Sequence, residues 1–178
     1  MKRFIFAFGL VMVFAGIAQA QEKDPMDISA EMEKIEMYGV PTVDAVNRLK
    51  YQADSLYNAK DWENAALALD DYARNANWLA NLLSQCVEPY YSANYKDKET
   101  TSYSTIKPFI PFEKQANRLK EGRNEAYVKI GICQKELGNT KKAVAYLYKG
   151  LGLLSVDQTS YWRIAKDAIA EIVGFNPE

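Results

Sequence analysis

Apolar side chains recur along most of this chain at steps of three and four, and nowhere alternate one by one over a strand's length. Steps of three and four keep side chains on one face of a helix, whereas strict alternation lines one face of a sheet. The pattern therefore predicts an all-α protein. A short helix is expected over 29–38, with Ile28, Met32 and Ile35 on one side and Gly39 and Pro41 ending it. Thr42 is placed to cap a second helix through Val46, Leu49, Ala53 and Leu56. Asp61 is placed to cap a third, with Trp62, Ala65, Leu69, Tyr72 and Ala76 on its stripe. A fourth follows through Leu79, Leu82, Leu83, Cys86 and Tyr90.

The pattern then breaks. Residues 92–111, SANYKDKETTSYSTIKPFIP, are polar, rich in Ser and Thr, and end in two prolines. They read as a loop, long for a compact helical domain. A long helix is expected from Pro111, with Phe112, Ala116, Leu119, Arg123, Ala126, Ile130, Cys133 and Leu137 on one stripe and Gly122-Arg123 as its weak point. Gly138-Asn139 ends it. Another helix follows over 140–154 through Val144, Leu147, Leu151 and Leu154. Ser155 and Gln158 form a capping box for a last helix that buries Trp162, Ala165, Ile169 and Ile172 and stops at Gly174.

The first residues belong to a different class of segment. Lys2 and Arg3 precede an apolar run over 4–17, followed by Ala18-Gln19-Ala20. This is the form of a secretory signal peptide with cleavage expected after Ala20. The run is shorter than the about 20 residues a membrane span needs, so no integral anchor is expected after cleavage. The expected organisation is a signal peptide over 1–20, an N-terminal segment with a short helix over 21–40, and a helical domain over 41–176. The expected location is the periplasm or the exterior. Net charge is −1 and no block of like charge stands out, which argues against nucleic acid as a partner.

The stretch 127–155 resembles a tetratricopeptide repeat. Tyr127 takes the family's aromatic position, Ile130-Gly131 its hydrophobic–glycine pair and Gly138 its turn, while Ala143 and Gly150 are the small pair flanking Leu147. A weaker match over 49–77 places Ala53, Leu56, Ala65 and Leu69 at family positions with Asp61-Trp62 at the turn. It departs at Gln52, where an apolar residue is expected, and at Tyr72, where a small one is. The interval from Asp61 to Asn139 exceeds two periods of about 34 residues, so residues are inserted between the copies. The resemblance implies antiparallel helical hairpins with a long loop insertion. It also implies close helix approach at Gly150, where alanine is the usual occupant, so Gly150→Ala is expected to be tolerated or mildly stabilising. By resemblance, Glu125, Val128, Ile132 and Lys135 are candidates for a peptide groove. The alternative is that this face meets a neighbouring hairpin.

Catalytic chemistry is sparse. There is no histidine, which excludes Ser–His and Cys–His nucleophiles and the HExxH zinc motif, and there is no P-loop or EF-hand loop. Two cysteines with no histidine leave too few ligands for a zinc site, and no cofactor is implied. Gly150-Leu-Gly152 lies in a predicted helix with no strand before it, so it is no nucleotide loop. Asp70 and Asp71 are neighbours on a helix and diverge rather than pair. The remaining candidates are binding residues. Tyr90, Tyr91, Tyr95, Tyr103 and Phe109 gather around the long loop, among the Ser, Thr and Asn neighbours that suit protein recognition. They either form a recognition surface or pin the loop to the helices. Cys86 and Cys133 both lie on apolar stripes; they are either a disulfide in an oxidising compartment or two buried thiols. The expectation is an exported, non-enzymatic scaffold binding a protein or peptide. The alternative is a glycan or small-ligand module, which would present flat rings among amides and acids.

Overall fold

The computed structural model describes residues 27–155 and 160–176, so the signal-peptide segment 1–20 and most of the Ser155–Gln158 capping box lie outside the described residues. The chain forms two compact units, 1–37 and 38–178. Among the described residues the structure is all helical, with no strand. In the first unit, helix α1 (Ser29–Tyr38) begins, and its Met32 and Ile35 are exposed rather than buried.

The second unit is built from α2 (Val43–Asn58), α3 (Trp62–Gln85), α6 (Ile110–Glu136), α7 (Thr140–Leu153) and α8 (Ser160–Ile172), with short helices α4 (Tyr95–Thr100) and α5 (Tyr103–Ile106) between α3 and α6. Thr42 caps α2 as its sequence position predicts, its hydroxyl accepting from the Ala45 N–H at 3.2 Å. Asp61 precedes α3 but caps no backbone N–H; its carboxylate accepts from the Asn64 side chain instead. The α2–α3 turn needs a left-handed residue and uses Lys60 at φ 59°, where the α6–α7 turn uses Gly138 at φ 75°.

Two expectations are corrected. The third and fourth helices are one, α3, because Leu79 and Leu83 continue the Ala76 stripe and no glycine or proline interrupts 63–85. The long loop is partly helical, because Asn94 acts as an N-cap, its side chain accepting from the Asp97 N–H at 3.0 Å. Residues that read as turn formers serve as caps.

The core has two parts that share α6. Val46 and Ala53 of α2, Leu69, Tyr72 and Ala76 of α3, and Leu119, Ile130 and Cys133 of α6 form one. Val128 of α6, Leu147 of α7, Leu154, and Ala165 and Ala168 of α8 form the other. A helix covered on two faces shows a blurred apolar stripe, which is why Val128 and Gly131 fell outside the sequence-derived one. Phe112, placed on that stripe by sequence, is exposed.

The α6–α7 crossing is close. A Cβ added at Gly131 would lie 2.6 Å from Leu147 Cγ, and one at Gly150 would lie 2.6 Å from Val128 Cγ2. Each glycine receives the large residue of the facing helix. The close approach inferred for Gly150 is present, but the expectation that alanine is tolerated there is corrected. Val128 is β-branched and fully buried, and its Cγ2 lies too close to its own backbone to move aside cheaply.

Candidate functional site

Two sets of sequence-derived candidates separate once their surroundings are known. In the groove set, Val128 is fully buried against Gly150, Ile132 packs on the α7–α8 core, and Lys135 donates to Glu171 of α8 at 2.6 Å. These three are packing residues: Val128 meets α7, the second helix of its own hairpin, and Lys135 meets the following helix α8. Among the described residues, α7 and α8 cover that side of α6.

Glu125 is different. It shares the α2-facing side of α6 with Lys129, a residue the sequence reading missed. Lys129 is 8% exposed and donates to Asp54 of α2 at 2.6 Å, with its Nζ 5.6 Å from the Tyr57 ring and 5.3 Å from the Tyr161 ring. Lys50 donates to the other Asp54 oxygen at 2.8 Å. Burial pushes the Asp54 carboxyl up, but hydrogen bonds from Lys129 and Lys50 outweigh it and hold the pKa below its ordinary value. Burial disfavours the Lys129 charge, but Asp54 more than restores it and raises the pKa. Glu125 has no ion-pair partner among the described residues, and burial raises its pKa against the opposing pull of Lys50 and Lys129. This arrangement is a satisfied ion pair joining α2 to α6, with Tyr161 of α8 against it.

The aromatic set divides within itself. Tyr91 is pinned to α6: its hydroxyl donates to Asn117 at 2.9 Å and accepts from Lys120 at 3.0 Å. Lys98 ties the same segment down, donating to the Tyr91 carbonyl and to Glu113. Tyr90 and Phe109 face one another with ring centroids 5.6 Å apart. They line an open cleft of about 530 Å³ together with Pro89, Ser92, Ala93, Asp97, Thr101 and Thr105. Tyr95 and Tyr103 stand out, 77% and 66% exposed at the first positions of α4 and α5. The insertion is thus anchored by Tyr91 and Lys98 and presents two exposed tyrosines and a cleft lined in part by aromatic rings.

The cysteines are both free. Cys133 is buried as expected, and burial raises its thiol to about 11. Cys86 is corrected: it is exposed, because it is the C-cap of α3 rather than an interior position on an apolar stripe.

A second cleft, of about 340 Å³, opens between α3, α6 and α7. Asp70, Arg74 and Asn77 line it from α3, Tyr127 from α6, and Tyr146 and Lys149 from α7. Arg123 donates to Asn77 and, at 3.0 and 2.8 Å, to Asn124, whose amide donates to the Leu153 carbonyl at 3.0 Å. That chain of hydrogen bonds fixes the end of α7 against α6 and α3. The polar stripe Asp70, Arg74, Asn77 was readable as helix spacing, but nothing in the sequence says which tyrosines face it. Among the described residues, no group of three His, Cys, Asp or Glu side chains is placed to hold a metal, and no helix is long and apolar enough to cross a membrane. No family model matches the chain, and no curated protein or solved structure matches it.

Proposed function

We propose that this protein is an exported, non-enzymatic, tetratricopeptide-like scaffold that binds a protein or peptide through the 86–109 insertion. The observation that carries the reading is the contrast inside the insertion. Its backbone is held on α6 by Tyr91, Lys98 and Lys120, while Tyr95 and Tyr103 are left in solvent beside the Tyr90–Phe109 cleft. Rigid aromatic side chains presented on an anchored segment lose little entropy on binding, and a pocket beside them seats one partner side chain. Export is supported by the Lys2-Arg3, apolar-run and Ala18-Gln19-Ala20 pattern. The tetratricopeptide-like reading is supported by the close crossings of Gly131 with Leu147 and of Gly150 with Val128.

The test is capture from envelope extract by the wild-type protein and by a Tyr95→Ala, Tyr103→Ala double variant. Both side chains are exposed, so the variant keeps its melting temperature. The reading expects a defined captured protein to be lost with the variant; capture that is indifferent to both substitutions would contradict it.

A further inference from the structure

We propose that the cleft between α3, α6 and α7 binds a carboxylated sugar, with Lys149 taking the carboxylate and Asp70 and Asn77 taking ring hydroxyls. This site shares no residue with the insertion and does not depend on the function proposed for it. At about 340 Å³ the cleft is the size of one small ligand unit, at the low end of the range for ligand pockets. Its aromatic surface comes from Tyr127 and Tyr146, whose ring centroids lie 6.2 Å apart at an interplanar angle of 43°. Such rings accept the apolar C–H face of a pyranose.

The polar groups select the rest of the ligand. Of the cations here, Arg74 is already held by Asp70 at 2.6 Å and Asp71 at 3.3 Å, and Arg123 is spent on Asn77 and Asn124. Lys149 has no carboxylate partner among the described residues; its Nζ rests 4.3 Å from the Tyr127 ring centroid and is exposed. It is a cation awaiting an anion. Arg74 takes the Asp70 Oδ2, while Oδ1 receives only a long contact, 3.4 Å, from the Tyr146 hydroxyl and keeps capacity to accept. Arg123 fixes the Asn77 carbonyl oxygen, which leaves the amide NH2 as a donor with no protein partner among the described residues. An acceptor and a donor beside aromatic surface match vicinal hydroxyls, each of which both donates and accepts. A neutral sugar would leave Lys149 unused. An acidic peptide side chain would leave Asp70 and Asn77 unmatched.

The test is amide chemical-shift titration of the full chain with D-glucuronate, D-glucose and L-glutamate, repeated in Lys149→Gln and Lys149→Arg. Lys149 is exposed, so both variants fold, as helical circular dichroism will show. D-glucuronate is expected to give saturable shifts at Asn77, Tyr127, Tyr146 and Lys149, about tenfold tighter than D-glucose. Lys149→Gln is expected to erase that preference and Lys149→Arg to retain it. The proposal is overturned by equal response to glucuronate and glucose, or by glutamate matching glucuronate at the same amides. It is equally overturned by a preference that survives Lys149→Gln, or by no saturable shift at tens of millimolar.

Discussion

The Tyr72 hydroxyl occupies the space that a Cβ on Gly122 would need, with the Tyr72 Cζ 3.3 Å from the same point. Tyr72 is the residue that departs from the small side chain the repeat pattern expects on α3, and Gly122 is the residue that weakens α6. The two departures are one fit: the large side chain on one helix is received by the missing side chain on the other. Gly122→Ala should therefore destabilise by about 1–3 kcal/mol despite alanine's better helix propensity. Removing the hydroxyl with Tyr72→Phe should recover part of that loss. A double-mutant cycle by chemical denaturation reads the coupling; additive single effects would show that the two residues do not share the space.

Gly131 and Gly150 repeat the relationship at the α6–α7 crossing with Leu147 and Val128 as the large partners. Gly150→Ala is expected to lower stability by about 1–3 kcal/mol, and more mildly when Val128→Ala is also present. Thermal melts of the four proteins decide it. A Gly150→Ala protein as stable as the wild type would mean that the helices part at no cost.

How much of this was legible follows from what the helices cover. The all-helical class, the bounds of α2 and α7, the Gly138 turn and the inward position of Cys133 follow from spacing and cap residues, because each is set by local chain chemistry. The continuity of α3 was missed because a second run of leucines looked like a second helix, although no breaker separates the runs. Val128, Ile132 and Lys135 are groove candidates only by family resemblance, and they pack inward because α6 carries two apolar stripes. Lys129 and Asp54 lie on different helices and neither has a local signature. Their pairing exists only after α2 and α6 meet. The same holds for Tyr127, Tyr146 and Lys149 around the second cleft.

The Asp54–Lys129 pair predicts a sharp asymmetry between variants. Asp54→Ala leaves a buried ammonium without its counter-charge and should destabilise by about 3 kcal/mol. Lys129→Met keeps the volume and removes the charge, so it should cost less. Urea denaturation at neutral pH measures both, and a Lys129→Met protein weaker than Asp54→Ala would reverse the assignment.

The pH dependence has a sign on each side. Tyr72 is raised from 10.0 to about 12 by burial first, with Glu125 and Asp54 adding to it. The folded protein then keeps a proton the unfolded chain releases, so this stability is whole below pH 10 and is lost as pH rises toward 12. Tyr72→Phe should flatten that fall. Asp54, with its pKa lowered in the fold, contributes stability above its unfolded value and loses it on acidification. Glu125, raised by burial, works the other way, and Glu125→Gln should stabilise at neutral pH. Melting temperatures across the two limbs, in wild type and the two variants, check each sign.

Thiol accessibility separates the two cysteines. Native protein should react at Cys86 alone, and Cys133, buried with its thiol raised to about 11, only after denaturation. Counting thiols before and after denaturation should give one and then two. A count of zero in denatured, unreduced protein would mean that the pair is bonded.

The claim that the insertion is the recognition surface is tested most directly by photo-crosslinking from four exposed tyrosines in living cells. Tyr95 and Tyr103 lie on the insertion; Tyr51 on α2 and Tyr148 on α7 are as exposed and lie off it. Each is replaced in turn by p-benzoylphenylalanine, and adducts are read by mass shift and peptide sequencing. The account predicts one protein crosslinked from positions 95 and 103 and not from 51 and 148. Adducts confined to positions 51 or 148, or equal at all four, would contradict it.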